Sequence, residues 1–295
     1  MEDSIYRFLA AILDGVTIGS VYALMAIGLS LIFGVTRAYN FAHGSFFTWG
    51  AYIVWVIPFA LGVTDMSYWA IFPIVIPIMF LIGWVFDKLV VSPLRKSSNW
   101  MTTVMITTLG SAIILDNTAL AAFGPLTKSI PPLFEGRINL GSFVIGTNDL
   151  AVFVVAIMIL VLLSLFLGRT REGRAITAVA QDLVGAKMVG VSVDRIFGIT
   201  FGVSAILSAI AGILLAPKYF IFPMGGWSPF VKSFVIVFFG GLGSFKGTFF
   251  AAFILGIIEA LVSLYIAPVW IMPVWFVVLI AVLIFRPMGL FGKWS

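Results

Sequence analysis

The sequence predicts an all-α fold: a polytopic transmembrane helix bundle with eight full spans, one short or broken helix, and amphipathic helices on the cytoplasmic side. Three observations predict it. The chain is 62% hydrophobic and 10% charged, whereas a soluble domain is roughly 45–50% apolar and 25% charged. Its apolar residues form continuous runs near the ~20 residues that a helix needs to cross a hydrocarbon core of ~30 Å. These runs do not alternate and exceed the length of a barrel strand, so the other backbone arrangement that closes its own hydrogen bonds in lipid is excluded.

In chain order the expected spans are Ile12 to Val35, Phe46 to Leu61, Tyr68 to Leu89, Met101 to Phe123, Leu150 to Leu167, Ile196 to Ala216, Thr248 to Ile266 and Ile271 to Phe285. A ninth piece, Phe230 to Leu242, is short, carries Lys232 and runs into the glycine-rich stretch Gly240-Gly241-Leu242-Gly243-Ser244. No polar stretch is long enough to fold alone, so residues 1–295 read as one membrane domain. The acidic start Met1-Glu2-Asp3 lacks the basic region of a signal peptide, and the first run is expected to stay as an anchor.

Lys and Arg fall into short clusters between the runs, as lipid and topology rules require and nucleic-acid binding does not. Arg37; Lys88, Arg95 and Lys96; Arg169, Arg171, Arg174, Lys187 and Arg195; Lys246; and Arg286 with Lys293 share one side if the ninth piece crosses fully. That side holds 12 of the 17 basic residues against 5 outside, which places the N-terminus outside and the C-terminus in the cytoplasm, in a cell or inner membrane. Gly124 to Asp149 is then the longest external loop.

With no cysteine and one histidine, disulfides, thiolate metal sites, a Cys nucleophile and a histidine cluster are excluded. No catalytic, cofactor-binding or metal-ligating set is expected. The stretch Gly241-Leu242-Gly243-Ser244-Phe245-Lys246-Gly247 lacks the Gly-Lys-Ser/Thr order of a phosphate loop, so ATP hydrolysis is not expected here.

Lipid supplies no hydrophobic drive between helices, so close packing uses small residues four apart. Gly15, Gly19 and Ala23 form one such stripe, and Ser204, Ser208, Gly212 and Ala216 another; packing within the subunit is favoured over an interface between subunits. Gly15-Val16-Thr17-Ile18-Gly19 also resembles Gly198-Ile199-Thr200-Phe201-Gly202, a remnant of an internal repeat or a coincidence. Among polar residues, Glu259 lies mid-span with no basic residue within a turn or two, and reads either as a structural carboxylate or as part of a translocation path. Asp116 lies nearer the outer end of its span, within reach of water. In Asn40-Phe41-Ala42-His43-Gly44, His43 is expected to bond the backbone or cap the next helix, and Asn40 and His43, like Glu259, read either as structural polar residues or as part of a translocation path.

Arg169 to Arg195 reads as surface helix. Ile176, Val179, Ala180 and Leu183 recur on one face, and Asp182 is placed to cap a second short helix ending at Gly190. By itself the pattern fits a solvated connector lying on the membrane face.

Gly15 through Tyr52 with its Asn-Phe-Ala-His-Gly run, then Gly173-Arg174-Ala175, Ala180-Gln181-Asp182, Ala186 and Gly190, then Phe239 to Ser244, then Arg286-Pro287-Met288-Gly289-Leu290-Phe291-Gly292 resemble, in order and spacing, the permease subunits of branched-chain amino acid ABC importers. The likeness covers nearly the whole chain and fits the shorter of the family's two permease types. It implies a second related permease, two cytoplasmic ABC ATPase subunits holding ATP and Mg, and an extracytoplasmic binding protein that delivers leucine, isoleucine or valine. It also implies that Glu172, Gly173, Arg174, Ala180, Gln181, Asp182, Ala186 and Gly190 form the element that docks the ATPase. A bulky residue at Gly173 or Gly190 is then expected to weaken docking without unfolding. Relatives carrying urea, amides or other amino acids are the alternative; a channel or a secondary transporter is the alternative of another class, and the scarcity of intramembrane charge argues against ion coupling.

Overall fold

Helices follow the apolar runs because a backbone in lipid must satisfy its own hydrogen bonds. The computed structural model describes residues 2–60, 68–132, 134–140 and 143–292. The candidate spans contain α1 (Glu2–Thr36), α3 (Tyr68–Phe86), α4 (Trp100–Phe123), α5 (Thr147–Arg169), α8 (Val193–Tyr219), α10 (Phe245–Tyr265) and α11 (Ile271–Phe285), the last extended by a 3-10 turn from Pro268. The other helices are α2 (His43–Ala60), α6 (Arg171–Gln181), α7 (Leu183–Met188) and α9 (Trp227–Gly240). Among the described residues seven helices are long and apolar enough to cross a membrane, so the fold is polytopic and all-α. The expected span ending at Leu61 falls on α2, but Leu61 itself lies outside the described residues, as does Lys293.

Two differences from the expected boundaries have plain causes. α1 begins ten residues before Ile12, since no glycine or proline interrupts the helix between Glu2 and Ile12. The third span ends in a π turn (Asp87–Val91) and a 3-10 turn (Ser92–Lys96), where Pro93 removes a backbone donor. An antiparallel hairpin not expected from the sequence, β1 (Arg137–Leu140) with β2 (Phe143–Gly146), pairs Arg137 with Gly146 within the loop before α5.

The centre of the bundle is α1 and α8, most of whose membrane-length stretch is buried, whereas Pro268–Phe285 is almost wholly at the surface and presents residues such as Val277 and Ile284 outward. The two small-residue stripes lie on these central helices and pack within the subunit. A Cβ on Gly15 would stand 2.7 Å from the Ile257 Cα of α10, and one on Gly19 2.9 Å from the Ala252 carbonyl. On α8, Ser204 and Ser208 donate to the carbonyls of Gly28 and His43 at 2.9 and 2.7 Å, and Gly212 abuts the Phe47 carbonyl of α2. The Gly-x-Thr-x-Gly likeness thus falls on the two helices that most need a small face.

α2 and α9 start against each other inside the bundle. Gly44 and Gly226 meet backbone to backbone, and Gly226 donates to Thr48 Oγ1 at 2.9 Å. α9 then runs to Gly240, which packs on Gly247 and on the chain at Phe291. The start of α1 packs by β2, and the stretch to Gly292 packs by the end of α9, so the described ends of the chain lie at opposite ends of the bundle.

Gly212→Ala places its methyl 2.2 Å from the Phe47 carbonyl and is expected to destabilise by about 1–3 kcal/mol. Gly110, with nothing within 4 Å, is the control: Gly110→Ala is expected to stabilise by about 0.5–1 kcal/mol through helix propensity alone. Thermal unfolding of the two detergent-solubilised variants should shift in opposite directions.

Candidate functional site

Polar chemistry collects in two places. The first is the helix pair after α5. Thr170 caps α6, accepting from the Gly173 N–H at 3.0 Å, and Asp182 caps α7, accepting from the Val184 N–H at 3.0 Å. Gly190 closes the pair at φ +86°, a backbone region suited to glycine. The expected cap and stop are both present. Ile176 and Val179 turn inward as expected, but Leu183 is exposed because the chain kinks at Asp182 and starts a new helix phase.

The eight residues singled out there separate into two sets. Arg174, Gln181, Asp182 and Gly190 are exposed, and Glu172 and Ala180 are half-buried. Gly173 and Ala186 are buried toward their own chain. A Cβ on Gly173 would fall 2.0 Å from the Phe166 carbonyl, so a bulky residue there would disturb the α5–α6 corner itself. Gly190 has open space around it but sits at positive φ, so a bulky residue there strains the turn without meeting a neighbour. Sequence reasoning passed over Val184, Met188 and Val189, exposed at 66%, 83% and 80%. Their signal was three apolar residues unaccounted for by the inward face.

This pair is tied to the spans at several points. Arg37, just past α1, donates to the Ala180 carbonyl at 3.1 Å. Glu172 pairs with Arg195 at 3.0 Å. Arg95 bridges buried Asp87 to Asp194, and Lys88 donates to the Asp194 carbonyl at 3.3 Å. The exposed Glu172–Arg195 pair contributes little by itself, about 0–1 kcal/mol, so its effect is geometric: with Arg37 it holds α6 to α1 and α8, while the Arg95 and Lys88 contacts hold the end of α3 to α8. Most of the basic clusters expected to share a side, Arg37, Lys88, Arg95, Arg174, Arg195 and Lys246 among them, lie at this end.

The second place is inside the bundle. Lys232 of α9 lies 2.7 Å from Glu259 Oε1 of α10 and donates to Tyr22 Oη of α1, also at 2.7 Å. The Tyr22 hydroxyl in turn donates to the same carboxylate oxygen at 3.1 Å. The ammonium also stands 4.9 Å from the Tyr22 ring and 5.7 Å from that of Trp275, positions that favour a cation. Glu259 is therefore not a lone carboxylate. Its partner is 27 residues away on a neighbouring helix, out of reach of a search along one helix. Lys232 likewise is no outside residue in the charge tally, being 8% exposed.

Asp116 is also buried, and accepts from Ser45 Oγ at 2.8 Å and Trp227 Nε1 at 2.7 Å, tying α4 to the first turns of α2 and α9 in place of water. His43 opens α2 and contacts the Met25 carbonyl at 2.9 Å; a carbonyl only accepts, so Nε2 carries the proton. Asn40 Oδ1 accepts from the Ala42 N–H at 3.0 Å. Both residues bond the backbone at or near the turn into α2. Among the described residues no group of three His, Asp or Glu could hold a metal ion.

The sequence matches the family model for the branched-chain amino acid transport system permease component over residues 11–285. It is 33% identical over 304 residues to the high-affinity branched-chain amino acid transport system permease protein LivH of Escherichia coli K12, covering 99% of this chain and 98% of that one. The corresponding protein BraD of Pseudomonas aeruginosa is 31% identical, with 98% and 97% covered. A probable LivH of Methanocaldococcus jannaschii is 27% identical, with 95% and 92% covered.

Removing one partner of a buried ion pair strands the other charge, at about 3–5 kcal/mol, whereas removing both together costs far less. Lys232→Met and Glu259→Gln are each expected to lower the midpoint of thermal unfolding in detergent, with the double variant recovering much of the loss. Additive losses in that double-mutant cycle would mean the pair is not coupled.

Proposed function

The chain belongs to the branched-chain amino acid transport permease family, and we propose that it forms half of the membrane pathway of an ATP-driven importer for leucine, isoleucine and valine. A permease component is a transport subunit and not an enzyme. The protein is multi-pass, with seven helices of membrane length. We place it in the cell or inner membrane as one permease domain crossed nine times, counting α2 and α9 with the turns that lead into them. The N-terminus is outside and the C-terminus cytoplasmic, because the side rich in Lys and Arg is retained in the cytoplasm.

The observation that carries the reading is the tethered pair α6–α7. It lies at the basic end of the bundle and turns Val184, Met188 and Val189 outward beside Arg174, Gln181 and Asp182. An apolar centre with a charged rim is the composition of a protein interface, and the partner that fits is an ABC ATPase subunit. Two such subunits would bind the ATP and Mg, with no cofactor held by this chain. Of the coupling residues, Glu172, Arg174, Gln181, Asp182 and Gly190 would meet the ATPase. Gly173, Ala180 and Ala186 would set the shape that presents them. A second related permease completes the pathway, and a binding protein delivers substrate from outside.

Two measurements test this. Met188→Asp with Val189→Asp is expected to reduce co-purifying ATPase at least tenfold, with thermal unfolding of the permease unchanged; undiminished co-purification would remove α7 from the interface. In proteoliposomes with the second permease, ATPases and binding protein, labelled leucine should be taken up with ATP and displaced by isoleucine or valine. Stimulated ATPase without leucine uptake would keep the assembly and redirect the substrate to urea, amides or other amino acids.

A further inference from the structure

An ion pair buried inside a bundle often costs more than apolar side chains of the same volume would, so its position calls for a reason. Lys232, with Glu259 behind it, stands at the edge of a cavity of about 130 Å³. Phe47, Ala51, Leu215 and Ile221 make its walls apolar, and Tyr22 and Lys232 form its polar end. The space exceeds the ~10–15 Å³ required by one water. An ammonium has three N–H donors. Tyr22 and Glu259 take two of them at 2.7 Å, leaving one for a guest. The first turn of α9 also borders the cavity through Ser228 and Pro229; the N–H groups of Gly226, Trp227 and Phe230 are bonded within the protein, which leaves the Ser228 N–H to add partial positive charge there.

We propose that this cavity is a stopping place for substrate within the chain, in which Lys232 takes the carboxylate and the apolar walls take the branched aliphatic body. The inference rests on the importer reading above and names where its substrate is held. Glu259 keeps Lys232 fixed while the cavity is empty and makes the site neutral overall, which suits a guest that is itself a zwitterion. Positive groups gather on the side where a carboxylate would arrive, while the aliphatic walls offer no second charge. The cavity also touches Tyr219 and Phe220 at the end of α8 away from α6 and α7, the end from which an imported molecule would come.

The test uses the full-length protein in lipid nanodiscs, co-purified with its partner subunits and without binding protein. Equilibrium binding of labelled isocaproate, which has the carboxylate and branched body of leucine but no amine, is measured directly. Isoamylamine, which has the amine and no carboxylate, is the competitor. Binding that leucine displaces and isoamylamine does not is expected. Lys232→Met with Glu259→Gln, which leaves no stranded charge, should weaken it at least tenfold, as should Ser228→Trp at the rim, both with an unchanged elution profile. Unchanged isocaproate binding in the two variants, or equal competition by isoamylamine, overturns the site. Isocaproate binding by a protein whose importer takes up no leucine supports the site and overturns the branched-chain reading; leucine uptake without isocaproate binding does the reverse.

Discussion

The bundle depends on backbone meeting backbone. In lipid an apolar side chain gains nothing from leaving its surroundings for another helix, so helices associate through close contact and through bonds between polar groups. α1 against α10 and α8 against α2 both use such contacts, at Gly15 and Gly19 in one case and at Gly212 in the other. Everything polar in the interior follows from this closeness. Ser204 and Ser208 reach the carbonyls of neighbouring helices only because no larger side chain holds those helices apart. The same closeness brings Tyr22, Lys232 and Glu259 from three helices into one cluster.

What could be read from the sequence was set by range. Local patterns carried far: the apolar runs, the small-residue stripes, the cap at Asp182 and the stop at Gly190 all depend on residues a few positions apart. The family likeness was legible for the same reason, as short motifs in a fixed order. Properties that join distant parts of the chain were not. Glu259 looked solitary because its cation is on another helix, and Lys232 looked external because α9 is short. Asp116 looked accessible because Ser45 and Trp227 come from elsewhere. The hairpin before α5 was missed because four-residue strands are too short to leave a reliable alternating pattern.

The helix pair α6–α7 shows a different limit. Its residue types suggested an interface, but which of them face a partner depends on a kink. Asp182 breaks the helix phase, so Leu183 and Val184 point away from the face that Ile176 and Val179 share. Motif residues and contact residues therefore overlap only in part: the glycine at 173 builds the corner, while Met188 and Val189, outside the motif, form most of the exposed apolar surface.

α1 has a mechanical consequence of its own. Its 35 residues make a rod about 52 Å long at the ~1.5 Å rise of a helix, longer than the hydrocarbon core it crosses. It is clamped along its length to α10 and hooked at one tip to α6 through Arg37. On that length a tilt of about 10° around one tip corresponds to about 9 Å at the other, so the packing of α1 on α10 and its bond to α6 together fix how the two surfaces of the membrane are aligned.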